Sequence, residues 1–452
     1  MSKIILVNGT VITFNDKNQI IEDGAVLIEE EKIAEIGTSS DLLTEYKKDV
    51  IEIVDAHGGI ILPGFINAHS HLYSAFARGM PLEKELPTNF LEILQKIWWK
   101  LDLTLNEDDV YYSALIAAID AIKAGTTTII DHHASPNFCT NSLKTISKSL
   151  IKIGLRGCLS YEVSDRNGED SALEGIEENI RHIKWCDEKK NSLISASFGL
   201  HAPFTLSNDT LKICTDREKE FKTGFHIHLA EGQIDVEDSK RKYKKSVVSR
   251  LKERGILGEK TIAAHCIHLT DDDLNILYKT KTNVVHNPRS NMNNAVGVAP
   301  IIEMFNIGIR PGLGTDGMGM DMTREVYTSW LLQNHKKATP FSFSPDEAYQ
   351  MLTYNNAKIA SKFFPLKLGS LEIGNAADII VIDFKLPTPL NPGNLFSHLL
   401  FGSETWTVKD TIINGKIVMR DREITTINEL EVIKKTRKLA SKLWDRIYQE
   451  KD

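Results

Sequence analysis

Four short apolar runs in this chain break off at a histidine or an acid, and that repeated arrangement restricts the fold more than any other feature. Gly59–Phe65 leads into His69-Ser-His71, and Gly224-Phe-His226-Ile-His228-Leu-Ala-Glu231 carries two histidines and then a glutamate. Thr261-Ile-Ala-Ala-His265 ends in a histidine, and Gly308-Ile-Arg-Pro-Gly-Leu-Gly-Thr-Asp316 in an aspartate. Stretches with helical periodicity, such as Val247–Arg254 and Asp271–Tyr278, lie between them. Strands alternating with helices imply βα units on a parallel sheet. Polar groups at the C-terminal ends of several strands point to an α/β fold of the (β/α)8 TIM-like barrel type.

Eight strands are expected, near Ile60–His71, Thr126–His133, Leu155–Val163, Ile194–Ala202, Gly224–Ala230, Thr261–His265, Asn283–Asn287 and Ile309–Asp316. Met322–His335 supplies a helix after the last. The barrel then occupies residues 63–365. The flanks carry strand-like segments separated by turns: Ile4–Asn8, Thr10–Phe14, Gly24–Glu29 and Lys32–Gly37 at one end, Asp378–Phe384 and Thr411–Val418 at the other. Asn414-Gly415 is a hairpin signal. Small isolated sheets are marginal in water, so both ends are expected to pair into one composite β-sandwich domain, residues 1–62 and 366–426. Residues 427–452 are expected to form a C-terminal helix.

The chain of 452 residues has room for both parts. Its net charge of −7 argues against nucleic-acid binding, and the basic run Lys240–Lys245 reads as a solvated face. No apolar stretch approaches the ~18 residues of a membrane span, and a signal peptide is not evident, so no membrane partner is expected. The five cysteines, at 139, 158, 186, 214 and 266, show no Cys-x-x-Cys pairing. That usage suits a reducing cytoplasm.

Residues i and i+2 of a strand share a face, so His69 and His71 form half of a metal site. His228, His265 and Asp316 can join them at neighbouring strand ends, with Glu231 alongside. Imidazoles plus one carboxylate suit one divalent ion, Zn²⁺ first and Fe²⁺ second, with a position left for water. His228 is preferred to His226 because it stands nearer the strand's C-terminal end, where barrel sites form. His226 is assigned to a lower layer of the barrel.

His69-x-His71, His228-x-x-Glu231, His265 and Thr315-Asp316, in this order, resemble the amidohydrolase superfamily, in its mononuclear deaminase and chlorohydrolase branch. Asp55–Gly64 and Gly374–Asp383 look like that superfamily's composite β domain. The fourth strand, Ile194–His201, lacks the lysine that bridges two metals in binuclear members. Leu94–Asp102 with Trp98-Trp99, Asp131–Pro136, His201–Thr205, Arg289–Asn294 and Pro387–Leu390 are similar to the SsnA type of aminohydrolase, which is associated with purine breakdown.

The resemblance implies His69, His71, His228 and Asp316 as metal ligands and Glu231, His265 and Asp316 as catalytic residues. It implies hydrolytic deamination of an amino-substituted N-heterocycle, a purine or a purine-derived imidazole. Water held by Asp316 and His265 attacks the amine-bearing carbon, Asp316 takes a proton, Glu231 protonates the ring nitrogen, and ammonia leaves. A homo-oligomer, a dimer, is implied by superfamily habit. Cyclic-amide hydrolysis or triazine dechlorination could use the same site, and a non-catalytic metal-binding barrel is a further alternative. His201, Arg78, Ser290 and Asn291 are the expected substrate-binding residues. At most one of His132 and His133 is expected to face the pocket; Trp98 and Trp99 read as helix packing, with one able to roof it. His57, His182, His335 and His398 read as structural or exposed.

Overall fold

The computed structural model describes residues 3–46, 52–82 and 84–449. Eight parallel strands form the barrel: β1 (Phe65–Ser70), β2 (Thr126–His133), β3 (Arg156–Tyr161), β4 in two pieces (Ile194–Ala196 and Phe198–Leu200), β5 (Phe225–Leu229), β6 (Ile262–His265), β7 (Asn283–His286) and β8 (Gly312–Leu313). One parallel sheet runs from β1 to the first piece of β4, the other from its second piece to β8. A bridge between Val163 and Leu200 joins the halves, and one between Ser70 and Asp316 closes the ring. Consecutive strands are linked by helices such as Glu107–Lys123, Ser142–Ile153 and Glu169–Lys189, which bury apolar faces against the sheet.

Two strands differ from expectation. Ile60–His71 is not continuous: Ile60–Pro63 belongs to the terminal sheet, and β1 begins at Phe65. A Cβ on Gly64 would stand 2.1 Å from Thr127 Cγ2, so only glycine lets the chain pass this point and change sheets. Ile309–Asp316 shrinks to Gly312–Leu313, since Pro311 has no amide hydrogen to give a ladder. Its pairing is completed by Asn356, whose Oδ1 accepts the Leu313 N–H at 2.8 Å.

The chain ends form one nine-stranded sheet. Lys3–Ile12 pairs antiparallel with Ile20–Glu29 and parallel with Glu52–Asp55 and Ile60–Pro63. Ile60–Pro63 pairs in turn with Ile379–Asp383, and Thr407–Ile413, Lys416–Arg420 and Glu423–Ile424 extend the sheet. The hairpin turn falls at Asn414-Gly415, with φ of 52° and 71°. The sheet folds on itself until its Lys32–Thr38 edge reaches the segment before Ile379, Ile33 N–H meeting Asn375 C=O at 3.0 Å. Ile4, Leu6, Val26, Ile28, Ile379 and Val381 fill the interior. Arg156, 1% exposed, ties barrel to sheet through Asp378 at 2.9 Å.

Helix Glu429–Gln449 lies against Glu107–Lys123, with Leu443 buried and Trp444 Nε1 donating to Phe76 C=O at 2.8 Å. Lys240–Lys245 lies at the end of helix Gln233–Tyr243 and beyond it, and Arg241 and Lys242 both pair with Asp238. No helix among the described residues is long and apolar enough to cross a membrane.

Candidate metal centre and active site

At the C-terminal mouth of the barrel, the end of β8 is laced to β1. Thr315 and Asp316 N–H groups both donate to His69 C=O, at 2.9 and 3.0 Å. This brings Asp316 beside His69 and His71, which stand at the end of β1 and just beyond it. His228 on β5 and His265 on β6 complete the ring. Donor atoms of His69, His228, His265 and Asp316 lie within 4.8 Å of one another.

The hydrogen bonds fix how these rings are turned. His71 Nδ1 donates to His132 C=O at 2.6 Å, and His228 Nδ1 to His201 C=O at 2.8 Å. A carbonyl can only accept, so both Nδ1 atoms carry a proton; Nε2 of the neutral His228 ring presents a lone pair, and Nε2 of His71 presents one once a metal ion takes the place of its proton. Those two Nε2 atoms face each other at 3.1 Å, with Asp316 Oδ1 2.9 Å from His71 Nε2. His265 donates Nδ1–H to Asn291 Oδ1 at 2.8 Å, leaving its Nε2 bare, and Nε2 of both His69 and His265 is buried without a partner. Nitrogen lone pairs and a carboxylate crowded together call for a positive charge, which a proton on His71 Nε2 or a metal ion can supply. The residues therefore fit one divalent ion.

The charge states agree. Burial drives the His69 pKa down to about 3 and lowers those of His228 and His265, leaving neutral imidazoles. Burial opposes charge on His71 too, but Asp316 and Glu162 outweigh it and hold its pKa well above the ordinary value. A cation at Nε2 answers the same demand. Asp316 stays ionised: burial alone would raise its pKa, and the surrounding imidazoles push it far below the usual range.

Glu231 lies just past β5, Oε2 3.5 Å from His265 Nε2, and burial together with the Asp316 charge raises its pKa to about 8. Asn294 donates to its Oε1 at 3.4 Å. Ser290 donates to Asp316 Oδ2. Ala230, His265 and Asp316 all adopt left-handed backbone, with φ of 50°, 73° and 53°. Strain of this kind on non-glycine residues gathers at working sites, and here it aims side chains from strand ends into one space.

A cavity above these groups is lined by His71, Trp98, Trp99, Glu162, Arg166, His201, His228, Glu231, Ser290 and Asp316, among others. Of the expected substrate residues, His201 and Ser290 reach it. Arg78 does not: its guanidinium, 61% exposed, pairs with Asp120 at 2.5 Å, because the turn Leu72–Ala77 carries it out of the mouth. Asn291 is fully buried and acts through His265 instead of lining the cavity. His226 lies below, its Nε2 2.8 Å from His69 Nδ1, and stacks on His132 with centroids 4.3 Å apart. Neither His132 nor His133 lines the cavity, whereas both Trp98 and Trp99 do.

Sequence reasoning passed over Glu162, Asp102 and Arg166. Glu162 follows β3 immediately, 3% exposed, with Oε1 3.2 Å from His71 Nδ1. It obeys the rule of polar groups at strand ends that singled out the others. Asp102 and Arg166 form a buried ion pair on the same wall.

A ring of imidazoles and a carboxylate at the C-terminal mouth of an eight-stranded barrel defines a metal-site α/β barrel of hydrolytic type. The chain belongs to the amidohydrolase family, whose sequence pattern matches residues 60–418. It is 34% identical to the 5-methylthioadenosine/S-adenosylhomocysteine deaminase of Syntrophomonas wolfei, covering 98% of this chain and 99% of that one. It is 32% identical to the 5'-deoxyadenosine deaminase of Methanobrevibacter smithii, over 93% and 94% of the two chains. Among solved structures, a zinc-bound adenosine deaminase from Xanthomonas campestris superposes with a TM-score of 0.84 at 21% identity, over 99% of both chains. A zinc complex of atrazine chlorohydrolase from Arthrobacter aurescens gives 0.81 at 19%, over 97% of this chain and 100% of that one. These likenesses show the same fold.

Proposed function

We propose that this protein is a metal-dependent hydrolytic deaminase acting on the 6-amino group of an adenine nucleoside. The observation that carries the reading is the meeting of a cation-demanding donor set with Glu231, a carboxyl kept protonated near neutral pH beside it. The names of the relatives at 32–34% identity narrow the heterocycle to adenosine derivatives.

A divalent ion in such a site lowers the pKa of a water from 15.7 to about 7. His69, His71, His228 and Asp316 would hold it, and zinc suits their nitrogen-rich set. Asp316, ionised and steadied by Ser290, accepts the proton of the attacking water. His265, its ring fixed by Asn291, orients that water. Glu231 gives its proton to the ring nitrogen next to the attacked carbon, which ends the aromaticity and lets electron density settle there. The proton taken by Asp316 goes to the leaving amine, ammonia departs as the C–N bond breaks, and the proton left on the added oxygen returns to Glu231 as the carbonyl forms. The acidic residues Asp102, Glu162, Glu231, Asp235 and Asp316 outnumber Arg166 on the cavity wall, which favours uncharged nucleosides over nucleotides. A homodimer belongs to the same reading on the strength of the resemblance, and a cytoplasmic location on that of the cysteine usage; light scattering tests the former.

The test is ammonium release by zinc-loaded protein from adenosine, 5'-deoxyadenosine, 5'-methylthioadenosine and S-adenosylhomocysteine. Guanine, 8-oxoguanine, aminoimidazole and melamine serve as comparators. Turnover of an adenine nucleoside that disappears in Glu231→Gln supports the proposal. Ammonium from a comparator alone, or chloride or ring-opened acid from other substrates instead, overturns it.

A further inference from the structure

Opposite the groups that would attack the ring, β3 and β4 build a polar wall that the chemistry above does not use. His201 Nδ1 lies 2.7 Å from Thr205 Oγ1, whose own proton goes to Ala202 C=O at 3.0 Å, so His201 Nε2 is an acceptor. Glu162, 3% exposed, is a second acceptor, with Oε2 3.8 Å from that Nε2. Arg166, 9% exposed, is a donor. One end of its guanidinium is taken by Asp102, the plane lies 5.2 Å from the Trp99 ring, and Nε has no partner. The loop bearing it is anchored, since Asp165 accepts Ser207 N–H and Thr210 Oγ–H, both at 2.6 Å. A buried, immobilised guanidinium beside a buried carboxylate is costly to desolvate and is kept in place by its partners.

We propose that Glu162 and Arg166 recognise the vicinal hydroxyls of the ribose, with Asp102 and Trp99 holding Arg166 in position. The inference rests on the adenine-nucleoside reading. In this proposal the amine-bearing carbon sits over the histidine ring and the sugar-bearing edge of the purine faces the β3 and β4 side of the cavity. A vicinal diol offers two donors and several acceptors, the complement of a carboxylate next to a guanidinium. A phosphate or carboxylate would meet Glu162 and Asp102 with like charge, so the wall suits a neutral sugar.

The experiment compares adenosine with 2',3'-dideoxyadenosine in the zinc-loaded full chain, in the wild type and in Arg166→Met and Arg166→Lys. The wild type is expected to show a KM for adenosine ten- to a hundredfold lower, the effect of hydrogen bonds to a charged group. Arg166→Met should raise the adenosine KM at least tenfold more than that of the dideoxy compound, with kcat on the two falling alike or not at all. Arg166→Lys should recover part of the preference, and circular dichroism checks that both variants fold. Equal handling of both nucleosides by the wild type, or an equal KM loss on both in Arg166→Met, overturns the proposal while leaving a deaminase in place. If no ammonium appears at all, calorimetric binding of inosine against 2',3'-dideoxyinosine decides. A preference for inosine that Arg166→Met removes supports ribose recognition; no preference, or no binding, refutes it.

Discussion

His71 Nε2 and His228 Nε2 face each other across 3.1 Å while each ring's Nδ1 proton is committed to a backbone carbonyl. Two nitrogens held this way repel unless a positive charge, a proton or a metal ion, lies between them. Dialysis against a chelator should therefore lower the melting temperature by at least about 5 °C, and stoichiometric zinc should restore it, by binding linkage. Differential scanning calorimetry of the two forms measures this. An unchanged melting temperature would mean that the rings are content without an ion.

Glu162 stands 3.2 Å from His71 Nδ1 and shares that proton's neighbourhood with the His132 carbonyl. Partners of this kind orient a ligating imidazole and raise its basicity. Glu162→Gln is expected to weaken zinc affinity by roughly 10- to 100-fold, read by competition with a chromophoric chelator.

Asn291 takes the Nδ1 proton of His265 at 2.8 Å and is fully buried. Asn291→Ala leaves that donor unpaired and frees the ring to turn. The expected result is a kcat reduced about 10-fold or more, with KM and zinc content close to wild type, as for a misplaced catalytic group. A change in KM alone would place Asn291 at the substrate after all.

Glu231 must carry a proton to donate one, and in the metal-free protein its pKa is about 8. Activity should fall as pH rises through that value or somewhat below it, since a bound cation favours the carboxylate. Glu231→Gln should bind zinc stoichiometrically and lose turnover by ~10² or more, the scale of general acid catalysis. Zinc analysis together with a pH–rate profile checks both parts.

His182 lies far from the metal centre, buried and stacked on Trp185 with ring centroids 5.7 Å apart. Burial lowers its pKa to about 4. Because the unfolded imidazole binds its proton near 6.5, the stability held by the neutral form is present above that pH. It is lost as pH falls toward the folded value, by roughly 3 kcal/mol in all. His182→Gln should therefore show a smaller drop in melting temperature between pH 7 and pH 5 than the wild type.

Local pattern carried much of this architecture. β2 runs from Thr126 to His133 as its β-branched run suggests, and Asn414-Gly415 turns the hairpin it announces. The histidines and Asp316 were visible because strand ends can be read one at a time. The features that escaped depend on neighbours distant in the chain. Gly64 breaks a seemingly continuous strand because Thr127 occupies the space beside it. Arg166 and Asp102 meet only once the β3 loop and the helix Trp99–Thr104 have packed together. Trp98 and Trp99 looked like ordinary helix packing, but the turn Leu94–Trp98 is a π-helix, whose extra residue re-aims the side chains at its C-terminal end. Arg78 misled for the opposite reason: closeness in sequence to His71 did not become closeness in space.

Ile60–Pro63, the strand that runs straight into β1, is flanked by Thr10–Val11 on one side and Ile379–Ile382 on the other. During synthesis the first partner precedes this strand and the second emerges only after the whole barrel. Until then a fully apolar edge stays open beside a barrel whose eighth strand has already been made. Emergence of Ile379–Ile382, and not completion of the barrel, is thus expected to be the step that covers this edge, and nascent chains halted before Ile379 should be the ones that chaperones retain.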